Sequence, residues 1–100
     1  MSELEIGLTH LEGRERIALR GEFDYEASEA NAQELGQLLS QRSNVVFDLR
    51  GLSFMDSAGL RFLLQVADRH EGALTLEAAQ PRIRRLLELT GLTPLFDMRD

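Results

Sequence analysis

Residues 45–66 read VVFDLRGLSFMDSAGLRFLLQV, and the pattern of the chain changes from strand to helix within them. Residues 45–49 are rich in β-branched and aromatic side chains, which predicts a strand that is covered on both faces. Further along, Leu60, Leu63, Leu64 and Ala67 recur at helical spacing. This second pattern predicts an amphipathic helix that packs against the sheet containing the strand.

The joint between the two patterns is Met55-Asp56-Ser57-Ala58-Gly59. Asp and Ser are favoured helix N-caps, because a side-chain oxygen can accept a hydrogen bond from the unpaired N–H groups of the first turn, and either Asp56 or Ser57 fits this role. Ala58 and Gly59 carry almost no side chain, so another protein can come close to the Ser57 hydroxyl. We therefore take this joint as the candidate functional site.

The size and composition of the chain predict one folded domain over residues 1–100. Of its 100 residues, 43% are hydrophobic and 28% are charged, which is typical of a globular protein. The chain has no cysteine, which excludes disulfides, thiol catalysis and most structural zinc sites. Its formal net charge of −6 argues against a nucleic-acid partner. No apolar run is long enough for a membrane span and the first residues lack a basic signal start, so we expect a cytoplasmic protein without direct membrane insertion.

The residues before the joint predict a hairpin and a helix. Apolar and polar residues alternate in residues 4–9 and again in residues 16–20, with a polar, glycine-containing turn at residues 10–15 that also holds His10. Asp24 is then available to cap a helix over about residues 25–41, where Ala, Glu, Gln and Leu predominate.

The residues after the joint predict a further strand and a further helix. Residues 73–78 alternate as a strand does, and a helix follows that begins at Pro81 and ends before Gly91. The apolar residues after Gly91 either pack on the core or form a last short strand. The predicted order is β-β-α-β-α-β-α, an α/β domain whose mixed sheet combines an N-terminal hairpin with parallel strands and carries helices packed against it.

No residue pattern in the chain indicates a catalytic, metal or cofactor-binding site. His10 and His70 lack companions at the spacing of metal ligands or of a catalytic triad. The glycines form no phosphate-binding fingerprint, and the chain has no lysine. Ser57 has no histidine near it in sequence to act as a base, so we favour a binding protein over a hydrolase.

Four pieces of the chain together resemble the STAS family, which is named for sulphate transporters and anti-sigma factor antagonists. Residues 45–60 resemble the family's signature, and GEFD at residues 21–24 resembles its Gly-Glu-Leu-Asp turn. Residues 81–87 resemble its proline-led helix and residues 89–92 the end of that helix. The resemblance covers about residues 16–96 and implies a single STAS-like domain.

The resemblance also implies a phosphorylation switch in the regulation of transcription by partner switching. In stand-alone members, an anti-sigma factor that is itself a serine kinase phosphorylates the serine after the aspartate. The unphosphorylated form binds this anti-sigma factor and thereby releases the sigma factor. A metal-dependent serine phosphatase restores the unphosphorylated form. Carried over to this sequence, Ser57 is the phosphoacceptor, and the partner-binding residues are Asp24, Met55, Asp56, Ser57, Ala58 and Gly59.

Two other functions remain open for a protein of this resemblance. It could be a STAS subunit that docks on the ATPase of a lipid-trafficking ABC transporter, or a scaffold in a stress-signalling complex.

Ala58 stands where many relatives have a second serine, which leaves Ser57 as the one candidate hydroxyl of the joint. Beside it, Phe54 is expected in the core, whereas Met55 suits the core and a partner contact about equally.

Overall fold

The chain begins with an antiparallel hairpin of two long strands. The computed structural model describes residues 3–40, 44–70 and 72–100. Strand β1 (Leu4–Leu11) pairs with β2 (Arg14–Phe23) through a loop of two residues, Glu12 and Gly13. Both have positive φ, 54° and 77°, as the favoured tight hairpin turn requires. The predicted hairpin is confirmed. Because its turn needs only two residues, the strands are longer than predicted, and His10 lies in β1 and not in the turn.

The hairpin continues into a mixed sheet with three helices. The sheet order is β1-β2-β3-β5-β6, with β4 paired to β2, and every pairing beyond the hairpin is parallel. This confirms the predicted α/β architecture. The tail after Gly91 ends in the last strand, and residues 41–43, where the first helix was expected to end, lie outside the described residues. The remaining elements are α1 (Tyr25–Ser40), β3 (Val45–Asp48), β4 (Leu52–Met55), α2 (Ser57–Arg69), β5 (Leu74–Glu77), α3 (Pro81–Leu89), a 3-10 turn (Thr93–Leu95) and β6 (Phe96–Arg99).

The sequence pattern does not predict strand β4. It has four residues and begins only four residues after β3 ends, and its burial does not alternate. It exists because β2 is ten residues long and β3 pairs only with residues 15–18 of it. After a register shift at Gly21 and Glu22, the end of β2 is free to pair with β4. The joint that follows Met55 therefore lies at the carboxyl ends of two parallel strands, where α/β folds commonly place their sites.

The hydrophobic core lies between the helices and one face of the sheet. In β2, Ile17, Leu19 and Phe23 are fully buried, while Arg20 on the alternate face is exposed. They belong to one apolar cluster that also includes Leu35 of α1, Leu63 of α2 and Leu87 of α3. Burial of this one face against three helices is what fixes the helices on the sheet.

On the opposite face of the sheet, two arginine side chains reach across strand β3. Arg14 donates from Nη2 to Thr75 Oγ1 (3.3 Å), and Arg16 forms an ion pair with Glu77. Both acceptors belong to β5, and β3 lies between β2 and β5. The two arginines therefore lie across β3 and shield its Val46, which is only 1% exposed. Long charged side chains often cover apolar surface in this way.

Candidate functional site

The joint between β4 and α2 is organised by Asp56. This residue has extended backbone angles and is the N-cap of α2. Its Oδ1 accepts hydrogen bonds from the N–H groups of Ala58 (2.8 Å) and Gly59 (3.3 Å). Of the two candidate caps, Asp56 is thus the one used, and a cap of this kind stabilises a helix by about 1 kcal/mol.

Asp56 also ties the start of α1 to the start of α2. Its Oδ2 accepts from the backbone N–H of Tyr25 (3.0 Å), and its own N–H donates to the carbonyl of Phe23 (3.3 Å). These two residues flank Asp24, whose Oδ1 accepts from the N–H of Ala27 (2.8 Å) and caps α1 as expected. The two aspartates that the sequence singles out, 32 positions apart, therefore belong to one arrangement of helix starts.

Ser57 is the first residue of α2, and its side chain is exposed. Its hydroxyl makes no hydrogen bond to any residue in the described part of the chain. The reason is that Asp56 already accepts the N–H groups that a capping serine would use. The hydroxyl is therefore accessible to another protein, with only the half-buried Ala58 next to it on the helix.

Beside Ser57, Met55 and Gly59 are buried, whereas Phe54 is exposed. Gly59 is buried, and a Cβ placed on it would lie 2.5 Å from the carbonyl oxygen of Phe23 and 2.7 Å from Met55 Cγ. Met55 is 5% exposed, so both residues support the joint from the core side. Phe54, expected in the core, is 38% exposed. The cause is the close approach of α2, which covers Met55 and leaves Phe54 outside.

A groove of about 710 Å³ runs beside the joint, between α1 and α2. Tyr25 stands at its edge, 66% exposed, and its hydroxyl donates to Glu29 Oε1 (3.0 Å). That hydrogen bond raises the pKa of Tyr25 above its ordinary value. The sequence pattern did not predict this surface. Its one available signal was an aromatic residue at a helix start. The residues that line the groove include Tyr25, Glu29, Gly36, Ala58, Arg61 and Arg69.

The chemistry open to this site is that of an acceptor hydroxyl. His10 pairs with Glu15 on the hairpin (3.1 Å), and His70 lies at the far end of α2, so neither adjoins Ser57. Among residues 3–40, 44–70 and 72–100, no three His, Asp or Glu side chains are grouped as a metal site would need. Within the same ranges, no helix is both long and apolar enough to cross a bilayer.

Comparison with known proteins places the chain in a family. The family model of the STAS domain matches residues 9–100. The chain is 28% identical over 102 residues to the anti-sigma F factor antagonist of Paenibacillus polymyxa, covering 97% of this chain and 87% of that protein.

Two solved structures show the same fold. An anti-sigma factor antagonist from Mycobacterium paratuberculosis aligns with a TM-score of 0.84 and 25% identity, over 97% of this chain and 86% of that chain. The Bacillus cell fate determinant SpoIIAA in its phosphorylated form aligns with a TM-score of 0.65 and 25% identity, over 98% and 90%. Since the family model spans nearly the whole sequence and the fold agrees, this chain belongs to the STAS domain family.

Proposed function

We propose that this protein is an anti-sigma factor antagonist whose binding to its anti-sigma factor is controlled by phosphorylation of Ser57. The observation that carries the proposal is the exposed Ser57 hydroxyl, free of hydrogen bonds within the described residues, on a helix start that Asp56 holds in place. Two similarities support it. The relative from Paenibacillus polymyxa is named an anti-sigma F factor antagonist, and the similar SpoIIAA exists in a phosphorylated form.

In this proposal the partner is an anti-sigma factor that is also a serine kinase using ATP. The unphosphorylated protein binds it in the cytoplasm and so frees the sigma factor. During phosphorylation a bond forms between Ser57 Oγ and the γ-phosphorus of ATP, the bond from that phosphorus to ADP breaks, and the hydroxyl proton passes to a base of the kinase. A metal-dependent serine phosphatase later hydrolyses the phosphate ester. Asp24 and Asp56 keep the two helix starts fixed so that Ser57 and Ala58 meet the partner in one geometry.

A phosphate on Ser57 is expected to act on binding and to leave the fold intact. It adds about −1.5 to −2 charges at neutral pH. Because Ser57 is exposed, the folded chain accommodates the group in solvent. A partner surface fitted to a neutral hydroxyl would instead have to bury a dianion. A tenfold loss of affinity needs only about 1.4 kcal/mol, and removing such a charge from water costs several times as much.

The experiment is an affinity capture from the native host with three baits that differ at one position: wild type, Ser57→Ala and Ser57→Asp. We expect the first two to recover a serine-kinase anti-sigma factor, the third to lose it by tenfold or more, as argued above, and the wild-type bait to carry phosphate on Ser57. Thr9→Asp is the matched control, because it adds the same charge at an exposed position of β1.

Two results would contradict the proposal. One is equal recovery of the kinase by the Ser57→Asp bait. The other is recovery of a transporter ATPase with no phosphate on Ser57 under any growth condition. That second result would favour the function of a STAS subunit in a transport complex.

A further inference from the structure

The N–H groups at the start of α2 that could bind a phosphate on Ser57 already have acceptors. Asp56 Oδ1 already accepts the N–H groups of Ala58 and Gly59, and the N–H of Leu60 donates to the Asp56 carbonyl (3.0 Å). These are N–H groups that a helix would otherwise present to an anion. A phosphate attached to Ser57 would have to displace a carboxylate from them. Any counter-charge that the chain itself supplies must therefore come from a side chain.

Arg61 is the cation in position to supply that charge. It lies four residues after Ser57 on the same helix, so the two side chains share a face with Cβ atoms about 5–6 Å apart. Arg61 is exposed and lines the groove, and it forms no hydrogen bond or ion pair with the residues that the structure describes. An acidic group placed four residues before a basic one is also the favourable order on a helix.

The other charged groups around the groove direct a phosphate to the same place. Across the groove, α1 presents Glu29, which is held by the Tyr25 hydroxyl and repels an anion. Asp56 repels it from the helix start. The second arginine of α2 that lines the groove is Arg69. It lies about 18 Å from Ser57 along the helix axis, which is too far for an ion pair with a phosphate there.

We propose that, once Ser57 is phosphorylated, Arg61 of the same chain binds the phosphate through charge-assisted hydrogen bonds. This inference rests on the proposed function, since it states what happens to the same serine after modification. Arg61 holds the phosphate over the first turns of α2 and neutralises part of its charge. The phosphorylated protein then presents a fixed ion pair where the unphosphorylated protein presents a small hydroxyl.

The test is a phosphorus NMR titration of the full chain with phosphoserine installed at position 57 during translation, so that no kinase is needed. At low ionic strength, where exposed charges are screened least, Arg61 should stabilise the dianion and lower its second pKa. We expect this pKa to be lower in the wild type than in Arg61→Gln by about 0.2–0.4 unit, the equivalent of a favourable helix ion pair. Arg69→Gln is the matched control, because it removes the same charge from the same helix and should leave the titration unchanged.

The inference is wrong if Arg61→Gln titrates like the wild type, or if Arg69→Gln shifts the titration equally, which would indicate a general effect of net charge. Urea unfolding of unphosphorylated Arg61→Gln verifies that the variant folds. The outcome of this titration and the outcome of the affinity capture are independent of each other. Loss of the switch leaves the ion pair measurable on the installed phosphoserine, and an unchanged titration leaves the effect of Ser57→Asp on partner capture in place.

Discussion

At the scale of single residues, the joint depends on one carboxylate and one missing side chain. Asp56 uses Oδ1 to cap α2 and Oδ2 to hold the start of α1, so a single side chain fixes two helices. Gly59 lets α2 begin directly against the Phe23 carbonyl. The missing side chain at Gly59 is therefore needed for internal packing. Access to Ser57 depends instead on the small side chain of Ala58 and on the exposed helix start.

The role of Gly59 predicts that Gly59→Ala destabilises the protein. The new Cβ would lie 2.5 Å from a backbone oxygen, which cannot move without shifting β2 or α2. We expect a loss of about 1–3 kcal/mol in the free energy of unfolding, measured by urea titration. Gly36→Ala is the control, because a Cβ there meets nothing within 4 Å. It should stabilise α1 by about 0.5–1 kcal/mol. A Gly59→Ala variant as stable as the wild type would contradict the packing argument.

At the scale of elements, polar contacts run from strand to strand on the face of the sheet that lies opposite the helices. Arg14 of β2 donates to Thr75 of β5, and the Thr75 hydroxyl lies 3.5 Å from Asp97 Oδ2 on β6. Arg99 donates to the same Asp97 oxygen (3.1 Å). The hydrogen bond from Arg99 lowers the pKa of Asp97, with smaller contributions from Thr75 and the charge of Arg14.

This row of contacts predicts a pH-dependent contribution to stability. Because the pKa of Asp97 is lower in the folded state, its ionised form stabilises the fold above the unfolded-state pKa of about 3.9. That contribution is lost as the pH falls through the lowered folded-state value. Asp97→Asn should therefore be less stable than the wild type at pH 7, and the difference should shrink at pH 3. Urea unfolding at both pH values measures it. Arg99→Gln, which removes the main partner, should reduce the same pH dependence. A difference that is equal at the two pH values would refute the assignment.

At the scale of the whole molecule, the length of β2 determines where the site lies. Its first half pairs with β3 and its end pairs with β4, which brings the residues after Phe23 and after Met55 side by side. The joint is then flanked by two exposed aromatic side chains, Phe54 and Tyr25. Exposed aromatic residues around a central contact are frequent anchors of protein interfaces.

If the partner covers the joint, Phe54→Ala should weaken binding by roughly tenfold, the loss typical of an aromatic interface residue. Leu89→Ala removes a side chain that is 75% exposed at the end of α3, and it should leave binding unchanged. Calorimetric titration with the purified partner would compare the two variants. Equal affinities for Phe54→Ala and the wild type would place the interface elsewhere on the molecule.

The sequence determines by itself what each segment can form. The change of period around residues 55–59, the two capping aspartates, and the proline and glycine that bound α3 are local signals, because caps and periodicity act over a few residues. They are sufficient to predict the mixed sheet and its helices and to locate the joint.

Only the tertiary structure decides what covers each segment. Local periodicity records which side of an element is apolar, but burial depends on elements far away in the chain. The pairing of β4 with the free end of β2, the burial of Met55 under α2, and the exposure of Phe54 all follow from such distant contacts. So does the second bond of Asp56, whose Oδ2 reaches the Tyr25 N–H 31 residues away and fixes the helix start that carries Ser57.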